Sequence, residues 1–350
     1  MPLSPPSNTR PSLSATDDAA LADLYLRGTP ANTLRAYARD LIYIGAWREK
    51  ALGQSLIWPE TEDVALRFIL DHTRDLHQAA PHDPARVVAQ AMIAAGLRKS
   101  LACPAPSTLD RRIASWRAFH RMKNLRSPFE APLIRQARAK GRRAAARMPA
   151  PKSANPITRD VLETLLATCN GSLRGLRDRA ILMTAWASGG RRRSEITGLM
   201  REDIALEDFE TDGLIWITMI ETKTTTRGKT PRLVLKGRAA RVLAAWVEAA
   251  KITQGPLFRP ISKAGNALSR ALSPDAIYQI VKQRLILAGY PADYASPHGL
   301  RSGFLTQAAL DGAPVQAAMR LSLHRSMAQA MQYYDDVDVA ENPAADLLGE

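Results

Sequence analysis

Residues 213–237, GLIWITMIETKTTTRGKTPRLVLKG, decide the fold class. They read as two strands, 214–221 and 231–235, around a polar turn containing Gly228. The surrounding sequence reads as helix. Upstream, 159–168 follows Thr158 as an N-cap, and 173–187 is an apolar-faced helix stopped by Gly189-Gly190. Downstream, helices are expected at 238–251, at 275–288 behind Ser273-Pro274, at 298–310 and at 328–334. A hairpin among helices makes this half α+β.

The first half reads as a succession of helices from about residue 17 to 147. Ala20, Leu21, Leu24 and Leu26 form a short stripe that Gly28 and Pro30 end. In NTLRAYARDLIYIGAWREKAL, Leu34, Tyr37, Leu41, Ile44 and Trp47 recur at three and four, which assigns Arg35, Arg39, Arg48 and Lys50 to the other surface. Further helices are expected at 64–76, 85–101 and 108–122, with Ser107 capping the last and Asp110 in its first turn. No internal repeat is present.

At roughly 100–200 residues per domain, 350 residues imply two domains. Apolar residues at 46% and charged residues at 23% are ordinary for a globular chain and argue against disorder throughout. Lys and Arg number 48 against 34 Asp and Glu, a net charge of +14 that favours polyanions. Part of this excess is local. Between Ala131 and Arg159 there is no acidic residue, while Arg135, Arg138, Lys140, Arg142, Arg143, Arg147 and Lys152 accumulate. The first part of that run suits a helix; the second, with Pro149, Pro151 and Pro156, reads as an extended linker. Both a solvated surface and a track for a phosphate backbone fit it.

The expected organisation is a disordered tail at 1–16, a helical domain at 17–147, a basic, Pro-rich linker at 148–157, an α+β domain at 158–339 and an acidic tail at 340–350. Leu347 and Leu348 in that last tail suit either docking on a basic protomer or a frayed, solvated end. No apolar run reaches the ~18–20 residues of a membrane span, and no secretory signal opens the sequence. Cys103 and Cys169 are far apart and read as free thiols in a reducing cytoplasm. His72, His77 and His82, five apart, do not share a helix face, so no metal site is expected there.

Several segments carry residues suited to phosphate chemistry. HGLR places His298 and Arg301 one turn apart on one helix face. GGRRRSEITGL sets three arginines at a helix start, where backbone N–H groups also favour an anion. Lys223 and Lys229 lie in or beside the hairpin turn, and Tyr333 and Tyr334 follow His324 by nine and ten residues. Taken singly, these are a solvated basic helix start, lysines that blunt a sheet edge, and packing tyrosines.

In order, they resemble the tyrosine recombinase, or phage integrase, family over about residues 155–340, and NTLRAYARDL more loosely resembles its core-binding domain. The resemblance implies a mainly α N-terminal helical bundle of the SAM-like type followed by an α+β catalytic domain. The family pattern Gly-x-Arg-x-Ser-Glu falls on Gly190 to Glu195 and makes Arg192 the first catalytic arginine, with Arg191 and Arg193 at variable positions. The hairpin lysine matches Lys223 best, with Lys229 as runner-up. HGLR supplies His298 and Arg301, the later histidine is His324, and the nucleophile is Tyr333 by spacing, with Tyr334 as the alternative. Leu323 stands where many members have Gly before this histidine, a departure expected to affect packing more than chemistry.

The implied chemistry is attack by tyrosine on a DNA phosphate, giving a 3′-phosphotyrosine link and a free 5′-hydroxyl. It needs neither ATP nor metal, and the sequence has no P-loop motif and no acidic cluster suited to two-metal catalysis. No cofactor is therefore expected. The implied partners are duplex DNA held between both domains, further protomers in a tetrameric synapse, and accessory DNA-bending or directionality proteins, with no membrane. The implied location is the cytoplasm, at the nucleoid. Rival readings are a catalytically silent DNA-binding relative, a type IB topoisomerase, a telomere resolvase, and a basic RNA-binding protein, for which no aromatic-rich recognition strand is found.

Overall fold

The computed structural model describes residues 14–145, 153–219 and 230–335. The chain forms two compact units, Met1–Pro149 and Ala150–Glu350. The acidic stretch 340–350 lies outside the described residues.

The first unit is helical: α1 (Ala15–Gly28), α2 (Ala31–Leu52), α3 (Glu62–His72), α4 (Pro84–Ala94), α5 (Pro106–Met122) and α6 (Pro132–Ala144), with a 3-10 turn at Pro128–Glu130. Helix α1 opens inside the segment read as a tail, because Ser14 and Asp17 form a reciprocal capping box. Helix α5 also starts earlier than expected. Pro106 takes its first turn, where a missing N–H costs nothing, so Ser107 is not the cap and Asp110 falls in the second turn.

The core of this unit gathers Ile44 and Trp47 from α2, Phe68 and Ile69 from α3, Met92 from α4, Ile113 and Trp116 from α5, and Ile134 from α6. Phe68 packs edge-on to both Trp47 and Trp116, at 4.8 and 5.4 Å between ring centres. The buried face of α2 differs from the one its apolar spacing predicts. Leu34, Tyr37 and Leu41 are only half-buried, whereas Asp40 and Arg48 are buried. Arg48 is tolerated inside because its Nε donates to Glu60 at 2.6 Å and its Nη1 to the Ser55 carbonyl. Asp40 accepts from Ser115 at 2.7 Å and pairs with Arg111.

The second unit runs α7 (Arg159–Ala167), α8 (Leu173–Ala187), α9 (Arg193–Thr197), a 3-10 turn Arg201–Asp203, β1 (Ile204–Ala205), α10 (Phe209–Asp212), β2 (Leu214–Thr218), β3 (Arg232–Lys236), α11 (Arg238–Ala249), α12 (Pro274–Leu287), α13 (His298–Leu310), α14 (Val315–Ser322) and α15 (Met327–Asp335). The strands form an antiparallel sheet in the order β1-β2-β3. Ile215 faces Leu235 and Ile217 faces Leu233, and alternation turns all four into the core. With α10 and α14, the short β1 goes beyond the elements read from the sequence.

Helix α8 packs against both α11 and α13 and is buried along most of its length. Its one buried carboxylate, Asp178, is held between Arg177 at 2.7 Å and Arg284 at 2.6 Å. The N-terminal side of the unit is tied to α13. The Ile157 N–H donates to the Gly299 carbonyl at 2.8 Å, and the Ser296 N–H donates to Ser153 Oγ at 2.9 Å. A helical first half, read from its apolar spacing, and an α+β second half, read from the hairpin, are both present. Among the described residues, no helix is long and apolar enough to cross a membrane.

Candidate functional site

Gly189 and Gly190 end α8 with φ of +94° and +71°, a region L side chains rarely enter. They also permit close backbone approach. A Cβ at Gly189 would lie 2.4 Å from the Leu321 carbonyl at the end of α14, and one at Gly190 would lie 2.2 Å from the Arg301 Cα on α13. The arginine run that follows is thus pressed against both helices.

The three arginines of that run point three ways. The Arg191 side chain is 1% exposed, and its Nη2 donates to the Leu321 carbonyl at 2.7 Å. Burial above all, with Arg192 acting in the same direction against Glu195, pushes it down to about 10. Arg192 precedes α9 and keeps 37% of its side chain exposed. Its Nη1 donates to Glu195 Oε1 at 2.6 Å and its backbone N–H to Glu195 Oε2 at 3.0 Å, so this carboxylate fixes the fork while leaving it accessible. Arg193 is exposed and lies 3.3 Å from Asp275.

Arg301 and His298 share one face of α13. The Arg301 guanidinium is buried, donates through Nη1 to the Gly190 carbonyl at 3.1 Å, and places Nη2 3.1 Å from both ring nitrogens of His324. Burial first, then the cations of Arg191 and Arg192, push it down to about 10, which leaves it charged at neutral pH. His324 follows α14 by one turn residue. Burial first, then Arg301, Arg192, Arg191 and His298, push it down to about 4, so it is neutral and accepts from Arg301. The Ser322 hydroxyl lies 2.8 Å from its Nδ1.

The two tyrosines on α15 diverge. The Tyr333 hydroxyl lies 3.4 Å from His298 Nε2, and its ring centre is 6.3 Å from that of His324. Burial raises its pKa, opposed by the Arg301 cation. The Tyr334 hydroxyl instead donates to the Ala313 carbonyl at 2.9 Å. The structure therefore brings together Arg192, His298, Arg301, His324 and Tyr333. Strands β2 and β3 flank the connection that carries Lys223 and Lys229, and both lysines lie outside the described residues.

The family pattern puts Arg191 at a variable position, and Ser322 belongs to no motif in the sequence. Glu195 was legible, since it lies three residues from Arg192 in the motif. The Leu323 departure acts first on the backbone. Its φ of +52° places it in the left-handed region that glycine enters without cost, while its side chain packs against the core.

Of the basic run, Arg135, Lys140, Arg142 and Arg143 are exposed on α6 and Arg138 is half-buried. Asp110 holds Arg138 at 2.7 Å and Arg142 at 3.4 Å. Arg147 and Lys152 lie outside the described residues. Among the described residues, no group of three or more His, Cys, Asp or Glu is placed to hold a metal ion.

A sequence model of the phage integrase family matches residues 155–340. An integrase/recombinase xerD homolog of Selenomonas ruminantium is 31% identical over 178 residues, covering 49% of this chain and 51% of that protein. The chain thus spans about half the length of that relative. The tyrosine recombinase XerD of Xanthomonas campestris pv. campestris is 26% identical over 344 residues, 92% of this chain and 89% of its own. Among solved structures, the Tn1549 transposon integrase in complex with transposon right end DNA is similar with a TM-score of 0.57 at 14% identity, covering 95% of this chain and 98% of that one. At that identity the likeness is one of fold.

Proposed function

Because this chain belongs to the phage integrase family, we propose that it is a site-specific recombinase that cuts and rejoins duplex DNA through a 3′-phosphotyrosine intermediate. In this reading the Tyr333 oxygen attacks the scissile phosphorus while His298 accepts its proton. The bond from phosphorus to the 5′-oxygen breaks as the bond to tyrosine forms, and Lys223, with Lys229 as runner-up, protonates the leaving oxygen. Arg192 and Arg301 fork the non-bridging oxygens as charge gathers on them. His324 adds a hydrogen bond to the phosphate. Attack by a free 5′-hydroxyl reverses each step, so the bond energy is retained and no cofactor is required.

The observation that carries the proposal is the Tyr333 hydroxyl 3.4 Å from His298 Nε2, one helix turn from the buried Arg301. The reading assigns core-site binding to residues 17–147, backbone contact to the basic run through 148–157, and catalysis to 158–339. It places the protein at the nucleoid of the cytoplasm, on duplex DNA with further protomers in a tetrameric synapse and with accessory DNA-bending or directionality proteins. Integration, excision or resolution of a mobile element is the outcome it serves.

The test is a nicked suicide duplex carrying the site found in the DNA flanking the gene. Wild-type protein should become covalently attached to it, and Tyr333→Phe should bind without attaching. No adduct from the wild type indicates a silent DNA-binding relative. Relaxation of plasmids lacking any specific site indicates a topoisomerase, and hairpin-ended products indicate a telomere resolvase.

A further inference from the structure

Arg191 is buried without being satisfied. Its Nη2 reaches the Leu321 carbonyl at 2.7 Å, but Nε and Nη1 have no hydrogen-bond partner among the described residues. Nη1 stands 3.8 Å from Glu195, a carboxylate already engaged by the side chain and backbone of Arg192. A guanidinium taken out of water on such terms adds little to stability, and an apolar side chain would fill the same space at no greater cost. Its geometry suits a different role. Leu321 is three residues ahead of His324, and the chain between them ends α14, enters the left-handed region at Leu323 and brings Ser322 Oγ to His324. Gly189 presses on the same Leu321–Ser322 peptide.

We infer that Arg191 is a positioning residue: its hydrogen bond to Leu321 holds the turn through which His324 meets Arg301. The inference rests on the recombinase reading of this site. Removing the guanidinium releases one of the two points that pin the turn and leaves the strained Leu323 linkage to set the ring. The charge acts together with the contact. The groups facing His324 are Arg301 and His298 from α13, Arg192 and Arg191 from the arginine run, and Tyr333 from α15. Loss of the Arg191 cation removes one of the charges opposing protonation of that ring.

The experiment uses the full chain with Arg191→Leu, Arg191→Met and Arg191→Lys. Three readouts are taken: thermal melting, NMR titration of ¹⁵N-labelled His324, and single-turnover cleavage of the nicked suicide duplex. The apolar variants should melt close to wild type and bind the duplex normally. In them His324 should titrate above its position near pH 4, and cleavage should fall roughly 10- to 100-fold, the size of effect that misplacement by about 1 Å produces. Arg191→Lys keeps the charge without the planar fork, so it should restore the titration and recover cleavage only in part. Wild-type cleavage in an apolar variant overturns the inference. So does lost cleavage with an unmoved His324 titration, and so does collapse of stability in both apolar variants, which marks Arg191 as structural. If the wild type forms no adduct, the recombinase reading fails instead, and the histidine titration still reports whether Arg191 governs that ring.

Discussion

The Tyr333 hydroxyl stands 3.4 Å from Nε2 of His298. The neighbouring Tyr334 spends its hydroxyl on the Ala313 carbonyl. Tyr333→Phe should abolish covalent attachment to DNA while site binding persists. Tyr334→Phe should keep attachment and lose about 1 kcal/mol of stability with its hydrogen bond. Adducts formed by Tyr333→Phe but not by Tyr334→Phe would reverse the assignment.

Arg192 is held by Glu195 yet remains accessible. Arg192→Ala should lower the single-turnover cleavage rate by about 10²–10³-fold, the usual loss on removing a preorganised donor. Melting should fall as well, because the buried Glu195 carboxylate keeps only the backbone N–H of residue 192 and the more distant Arg191, so the rate is read on folded, DNA-bound protein. A rate within threefold of wild type, on the order of 0.6 kcal/mol, would take Arg192 out of the transition state.

Leu323 occupies left-handed backbone at φ +52°. Leu323→Gly should relieve about 1–2 kcal/mol of backbone strain, offset by the packing its side chain loses against the core. Denaturant melts should therefore place this variant close to wild type, whereas Leu323→Ala, which keeps the strain and loses the packing, should be clearly less stable.

His72 donates from Nδ1 to the Phe68 carbonyl at 2.7 Å and accepts the Tyr43 hydroxyl at Nε2, 2.8 Å away, an arrangement only the neutral ring can make. Burial pushes it down to about 3, against 6.5 in the unfolded chain. Between those values the unfolded state binds a proton that the native state does not, so stability rises with pH. The contribution of His72 to the helical unit should be fully present above about pH 6.5 and be lost progressively as pH falls towards 3, while His324 imposes a like loss on the second unit between 6.5 and about 4. Urea melts at pH 7, 5 and 4 should show His72→Gln with a shallower acid slope than wild type; equal slopes would acquit this histidine.

Arg142 and Arg143 are exposed on α6, and the Asp110 ion pair at 3.4 Å is a weak competitor for Arg142. Alanine at both positions should weaken binding similarly on specific and unrelated duplexes. The slope of log K against log salt should flatten by roughly 0.9 for each phosphate that is no longer neutralised. An unchanged slope removes this part of α6 from the DNA-binding surface.

The limits of α8 and α13 were legible to the residue, and for α8 the Gly-Gly stop after an apolar face is the reason. The hairpin was legible from its change of period, and the site from the order of its motifs. What escaped depended on long-range partners. Arg48 is inside because Glu60 meets it, and no periodicity in α2 encodes that meeting. Strand β1 is two residues long, too short to carry an alternation. The directions of Arg191 and Arg193 are set by Leu321 and Asp275, residues from distant parts of the chain, whereas Arg192 is held by Glu195 three residues on.

The close approach at Gly190 has a genetic consequence. An added methyl there meets backbone, 2.2 Å from the Arg301 Cα, so no side-chain truncation elsewhere can make room for it. Selection for suppressors of Gly190→Ala should return only true revertants. At Gly141 an added methyl meets the Thr73 side chain, with Cγ2 at 2.5 Å, and a second mutation to serine at Thr73 removes the obstacle. One glycine is irreplaceable within this backbone, and the other is negotiable with a single neighbour.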